Sequence, residues 1–174
     1  MIKIAITGPE STGKSALAQK LAFHFNTLWV PEYAREYLET LNRHYEYDDI
    51  LQIAQGQLKL EDETALRCAD YLICDTELLV TKVWCDFHYQ KCHQWIKDQL
   101  SVTRYNLLLL CDIDLPWEFD PQRENPDDRN TLFDMYYHEL SSGKFPFEVI
   151  RGSGEKRFQN ALKAIEKHLV KINV

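Results

Sequence analysis

Eight consecutive residues near the start of the chain, Gly8-Pro9-Glu10-Ser11-Thr12-Gly13-Lys14-Ser15, fit the pattern G-x-x-x-x-G-K-[ST] at every fixed position. Glycines at such positions let the backbone curl until successive N–H groups converge on phosphate oxygens. A helix opening there adds the positive end of its dipole. Lys14 would bridge the outer phosphates, and Ser15 would offer its hydroxyl to Mg²⁺. At average composition the four fixed positions coincide by chance about 4 times in 100,000, so a plain Gly-rich turn is the weaker reading. The pattern predicts binding of a nucleoside triphosphate, with Gly8, Glu10, Ser11, Thr12, Gly13, Lys14 and Ser15 as contacts.

Other residues could complete a phosphoryl-transfer site. Asp75 follows the apolar run Tyr71-Leu72-Ile73-Cys74, where an acid at a strand end can hold Mg²⁺; Asp75 or Thr76 could also simply cap a helix. Glu32, in Pro31-Glu32-Tyr33-Ala34-Arg35-Glu36, could take a proton from an attacking hydroxyl, or open a helix with a charge that suits its dipole. Arg35 could meet a phosphate or an acid such as Glu32. The stretch Asp114 to Asn130 holds Pro116, Pro121 and Pro126 and exceeds an ordinary connection, which suggests a lid over about 114–130. Its Arg123 and Arg129 could stabilise charge on a transferring phosphoryl group. Alternatively they neutralise nearby acids, since Asp112 to Asp134 holds eight acids against these two arginines. Gly152-Ser153-Gly154, followed by Lys156 and Arg157, could bring a backbone edge to adenine or serve as a connector.

Hydrophobic patterning supplies a frame for these residues. Short apolar runs at Ile2–Ile6, Leu28–Val30, Tyr71–Cys74, Tyr105–Cys111 and Phe147–Ile150 read as strands. Between them, Leu17, Leu21 and Phe25 recur at helical spacing, and so do Leu51, Ala54, Leu58 and Ala65 behind a cap at Asp48 or Asp49. A further helical stretch is expected from Thr76 to about Leu100, and a last helix carries Ala161, Leu162, Ile165 and Leu169. Strands alternating with helices predict an α/β fold: a predominantly parallel five-stranded sheet with helices on both faces. Ligands of such sheets sit beyond the carboxyl ends of the strands, where Gly8, Glu32, Asp75, Asp112 and Gly152 all fall.

The 174 residues carry 20 Lys plus Arg against 27 Asp plus Glu, a net charge of -7 that argues against nucleic-acid binding. That length suits one domain spanning residues 1–174. No apolar run is long enough to span a membrane. Five cysteines, an odd number, fit reduced thiols in a cytoplasmic protein better than a disulfide framework. Cys85, His88, Cys92 and His93 have a spacing that draws attention to zinc, but three of them form one ordinary helical stripe.

The segments Gly8 to Ser15, Pro31 to Glu36, Asp75-Thr76 with Val83-Trp84, and Asp114-Leu115-Pro116-Trp117 through Asp120-Pro121-Gln122-Arg123 to Arg129 resemble the kinase domain of NadR-type proteins. They run in order over nearly the whole chain, and the Pro-Glu-Tyr-Ala-Arg-Glu and Pro-Trp segments are far more particular than the Gly-rich loop. The resemblance implies a P-loop kinase fold and a ribosylnicotinamide kinase, which phosphorylates the 5′-hydroxyl of nicotinamide riboside with ATP and Mg²⁺ to give nicotinamide mononucleotide for NAD synthesis. Lys14, Glu32, Asp75, Arg123 and Arg129 would be catalytic, with Ser15 and Asp75 at the metal. Arg157, from the turn after the last strand and not from the resemblance, is a further candidate ATP contact. Glu32, Tyr33, Arg35, Asp75, Trp84 and Trp117 would face the riboside. Its pyridinium carries a fixed positive charge, which acidic and aromatic groups attract; Tyr33, Trp84 and Trp117 could equally be packing residues. The adenylyltransferase and helix-turn-helix parts of full NadR proteins have no counterpart in the sequence, so the expected chemistry stops at the mononucleotide.

Overall fold

All strand pairings in the sheet are parallel, and the most central strand is the one that leads into the Gly-rich loop. The computed structural model describes residues 1–102, 104–143 and 145–169. Strands β1 (Ile2–Thr7), β2 (Trp29–Val30), β3 (Tyr71–Asp75), β4 (Leu107–Cys111) and β5 (Phe147–Ile150) lie in the order β2-β3-β1-β4-β5. In register, Ile4 of β1 faces Ile73 of β3 on one side and Leu107 of β4 on the other. β4 reads Leu-Leu-Leu-Leu-Cys without alternation because both of its faces are covered and all five residues are buried.

Helices α1 (Lys14–His24) and α7 (Gly154–Leu169) cover one face, where Ile4, Ile6 and Leu109 pack with Leu17, Leu21 and Ile165. On the other face Ala5, Leu72 and Leu110 meet Val83 of α4 (Leu78–Tyr89) and Leu132 and Tyr136 of α6 (Arg129–Ser142). Burying each such leucine or isoleucine contributes about 1.5–3 kcal/mol. A third cluster joins α3 (Tyr47–Ala65), α4 and α5 (Gln94–Leu100) through Ile50, Ala54, Leu58, Cys85 and Ile96. The short α2 (Tyr33–Thr40) buries no residue fully. β1 has β3 on one side and β4 on the other, so a crevice opens at its carboxyl end. The loops holding Gly8, Glu32, Asp112 and Gly152, and Asp75 itself, gather at that edge.

Several local expectations change. The buried residues of α3 are Asp49, Ile50, Ile53, Ala54, Gln57, Leu58, Glu61 and Thr64, with Leu51 and Ala65 only partly covered. Its cap is Glu46 rather than Asp48 or Asp49; Asp49 completes a capping box from the third position. The helix expected from Thr76 to Leu100 breaks at Gln90, which takes a left-handed conformation (φ 51°) between α4 and α5. Helix α6 had no counterpart in the sequence reading. The domain end expected at 170–174 lies outside the described residues. Among the described residues no helix is long and apolar enough to cross a membrane. The five cysteines are free.

Glu77 caps α4 by accepting the Leu79 N–H at 2.6 Å, while its other oxygen is buried without a partner. Burial pushes this carboxyl from 4.5 up to about 7. A raised value favours the folded state below the unfolded pKa and forfeits that advantage as pH rises through the folded one. Glu77→Gln keeps an oxygen for Leu79 and removes the ionisation. Between pH 4.5 and 8 the wild type should lose roughly 3 kcal/mol relative to the variant in urea unfolding; parallel pH curves for the two proteins would contradict this.

Candidate active site

The Gly-rich loop leaves β1 and closes at α1, and two of its residues must be glycine. Gly8 has φ 127°, and a Cβ there would fall 2.9 Å from the Cys111 carbonyl of β4. Gly13, with φ 75°, precedes α1 and lies against Leu115. The Thr12 hydroxyl donates to the Pro9 carbonyl at 2.7 Å. Lys14 Nζ donates to the carbonyls of Gly8 (2.9 Å) and Pro9 (2.8 Å), so the ammonium arches over the loop. No side chain caps α1 and no acid stands in its first turn, which leaves its N–H groups and dipole available to an anion.

Arg157 of α7 holds this loop from behind. It is 3% exposed, and its guanidinium donates to the carbonyls of Gly152 (2.6 Å) and Asp112 (3.2 Å), to the Thr12 carbonyl, and to Asp114 Oδ1. It is not on the wall of the cavity described below, so the structure makes it a buried clamp where the sequence suggested a nucleotide contact.

Residues 112–128, which contain no helix or strand, cross the loop as a cover. Ser11 Oγ accepts the Glu118 N–H at 2.8 Å and donates to the Pro116 carbonyl at 3.4 Å. The Glu10 carboxylate accepts the N–H groups of Glu124 (3.2 Å) and Asn125 (3.1 Å), and burial raises its pKa. The Glu10 and Ser11 side chains therefore serve the cover. Arg123 reaches Ser11 Oγ (3.3 Å) and the Glu118 carbonyl (2.6 Å). Arg129 donates to the carbonyls of Leu115 (2.8 Å) and Ser11 (3.4 Å), and its Nε is buried without a partner. Among the described residues neither arginine forms a direct ion pair. The Gln122 N–H and Arg35 hold the Asp120 carboxyl below its ordinary value, and Arg123 helps at longer range. Arg35 pairs with Asp120 at 3.1 Å, not with Glu32.

Two carboxylates stand at the carboxyl ends of the strands in different surroundings. Asp75 is 3% exposed and its Oδ1 has no hydrogen-bond partner. Its pKa is raised to about 6, chiefly by burial and further by the negative Glu32, while the neighbouring Ser15 hydroxyl pulls it down. Asp75 does not cap α4; Glu77 does. Between them Thr76 adopts φ 82°, a strained conformation for a β-branched residue, and its hydroxyl is also unpartnered. Glu32 precedes α2, lies on the cavity wall and has no hydrogen bond or ion pair among the described residues. Among the described residues no group of three or more His, Cys, Asp or Glu gathers as a metal cage. Ser15 and the unpartnered Asp75 oxygen fit Mg²⁺ instead, an ion that keeps waters and substrate phosphates as most of its ligands.

A cavity of about 650 Å³ runs from residues 8–16 past Glu32 to an aromatic corner of Tyr45, Trp84, Phe87, His88 and Tyr136. Of the three aromatic faces expected, only Trp84 lines it. Tyr33 turns the other way: its N–H donates to Gln57 Oε1 at 2.9 Å and its ring lies on Gly56, where a Cβ would come 2.0 Å from the ring. Trp117 is flanked by two backbone groups bonded to Ser11, and its side chain is off the cavity wall. Tyr45, Phe87, His88, Glu124 and Tyr136 were missed. One signal was available: Val80, Trp84, Phe87 and His88 form an i, i+4, i+7, i+8 face of α4.

A family model described as an AAA domain matches residues 3–157. The Trifunctional NAD biosynthesis/regulator protein NadR of Salmonella typhimurium (strain LT2) is 25% identical over 171 residues, covering 94% of this chain and 42% of that protein. The chain therefore spans less than half the length of that relative. A crystal structure of NadR protein in complex with NR superposes with a TM-score of 0.78 at 20% identity, covering 96% of this chain and 51% of the other. Deoxyadenosine kinase from M. mycoides with bound dATP gives 0.60 at 14% identity, over 95% of this chain and all of that one (100%). The fold is that of P-loop kinases.

Removing the guanidinium behind the loop leaves Asp114 Oδ1 and the Thr12 carbonyl without that donor, while Asp114 Oδ2 keeps the Gly152 N–H. Arg157→Ala should lower unfolding free energy by roughly 3 kcal/mol and weaken ATP binding, read by denaturant titration and calorimetry. Wild-type stability and affinity would contradict the clamp.

Proposed function

We propose that this chain, which belongs to the AAA-domain family and is homologous to NadR, transfers the γ-phosphoryl group of ATP to the 5′-hydroxyl of nicotinamide riboside. The observation that carries this reading is one continuous cavity that joins a phosphate-binding loop, a free carboxylate and an aromatic corner. A hydrolase has no need of the corner, and a cover tied to the loop suits a reaction that must exclude water.

In this reading the amides of residues 11–15 and the dipole of α1 hold the triphosphate. Lys14, released from the Gly8 and Pro9 carbonyls, takes up the outer phosphates. Ser15 and Asp75 hold Mg²⁺, which supplies charge neutralisation along the phosphate oxygens. Glu32 accepts the 5′-hydroxyl proton as the ribosyl oxygen bonds to the γ-phosphorus and the bond to the bridging oxygen breaks, giving ADP and the mononucleotide. Of the two acids, Glu32 is the one on the cavity wall, whereas Asp75 lies behind it and suits the metal. Arg123, carried by the cover, lies on the cavity wall beside Ser11 and would face the charge that develops on the transferred group. Arg129, in the first turn of α6 and off that wall, holds the Ser11 and Leu115 carbonyls and would act on that charge through the loop. The name of the NadR relative and the NR of the superposed complex support the acceptor.

With ATP and Mg²⁺, nicotinamide riboside should be phosphorylated with a kcat/KM at least about tenfold above uridine, cytidine and adenosine. Lys14→Ala and Glu32→Gln should each lower kcat by about 100-fold or more with unchanged thermal unfolding. A preference for another nucleoside would overturn the acceptor, and near-normal turnover in either variant would remove that residue from the mechanism.

A further inference from the structure

The cavity is electrostatically divided. Lys14 and Arg123 stand at its loop end, while the arginines nearer the acceptor are already engaged: Arg43 with Asp49 (2.6 and 2.9 Å) and Arg35 with Asp120 (3.1 Å). At the aromatic corner the cover delivers one carboxylate, Glu124. Its Oε2 accepts the Tyr45 hydroxyl at 2.7 Å and lies 3.9 Å from His88 Nε2. Tyr45 in turn accepts the Trp84 indole N–H at 3.0 Å, and the two rings meet edge to face with centroids 4.8 Å apart. The backbone on either side of this carboxylate is pinned, since Glu10 of the Gly-rich loop holds the N–H groups of both Glu124 and Asn125. Burial and the neighbouring Glu124 keep the Tyr45 phenol well above its ordinary pKa, so it stays a donor to that carboxylate.

We infer that Glu124 is the specificity-determining residue of the acceptor site, a carboxylate placed against an aromatic corner to select a heteroaromatic base with a fixed positive charge. An aromatic corner alone receives any flat ring. A carboxylate a few ångströms away adds Coulomb attraction that a cation feels and a neutral ring of the same outline does not. Because Glu10 sets the position of Glu124, the nucleotide loop and the base-recognition corner are joined by one strap of the cover. This inference rests on the acceptor proposed above.

The test compares nicotinamide riboside with 1,4-dihydronicotinamide riboside, which keeps the ribose, the carboxamide and the ring outline but has lost the charge. Glu124→Gln retains an oxygen for Tyr45. The variant should lose about tenfold in kcat/KM toward the cation, carried by KM, while kcat/KM for the neutral riboside stays within about twofold. Tyr45→Phe, which frees Glu124 from its anchor, should lose part of the same discrimination. Equal losses on both ribosides, or an unchanged ratio, would overturn the assignment while leaving the kinase reading standing. A wild type that phosphorylates neither riboside would overturn the acceptor itself and this inference with it.

Discussion

A loop that turns its amide protons toward one point must turn its carbonyl oxygens elsewhere and satisfy them there. Much of the architecture around residues 8–13 answers that requirement. The Gly8 and Pro9 oxygens take Lys14 and the Thr12 hydroxyl. The Ser11 oxygen takes Arg129 from the first turn of α6, the Thr12 oxygen takes Arg157 from α7, and the Gly13 oxygen starts the α1 ladder with the Leu17 N–H at 3.1 Å. Helices from opposite faces of the sheet thus meet at a few carbonyls. The close contact of Gly8 with β4 completes the fixing of the loop, because a side chain there would collide with the Cys111 oxygen.

The same arrangement explains why the cover belongs to the site. Its backbone is bonded to the Glu10 and Ser11 side chains, so the variable positions of the Gly-rich pattern hold the chain that closes over the fixed ones. Eight acids between Asp112 and Asp134 are an awkward neighbour for a triphosphate. The structure directs several of them away from it: Asp114 to Arg157, Asp112 to Arg151 and Asp120 to Arg35. Glu124 goes to the far end of the cavity.

What could be read from residues alone divides along the distance over which each feature is encoded. The loop, the strand ends and the parallel sheet were legible because their signals are local: eight contiguous residues, short apolar runs and a period. The aromatic end of the cavity was not, since Tyr45, Trp84, Glu124 and Tyr136 come from four separate segments. Tyr33 misled because its neighbour Glu32 faces the cavity while its own backbone is bound to Gln57 of α3. Trp117 misled because it sits inside the cover, yet backbone contacts on either side of it turn the main chain toward Ser11. Arg157 stands out in the sequence only as a basic residue near a turn; its burial against four acceptors depends on the packing of α7, which no local pattern encodes. Asp75 and Thr76 are both residue types that cap helices, but the α4 cap is Glu77, one residue further on.

We propose that residues 8–15 form a triphosphate cradle, whose Lys14 ammonium rests on the Gly8 and Pro9 carbonyls. A crystal structure with a non-hydrolysable ATP analogue tests it most directly. The terminal phosphates should lie against the amides of residues 11–15, with Lys14 Nζ moved from the Gly8 and Pro9 carbonyls onto a phosphate oxygen. A nucleotide bound elsewhere, with Lys14 still on those two carbonyls, would contradict it.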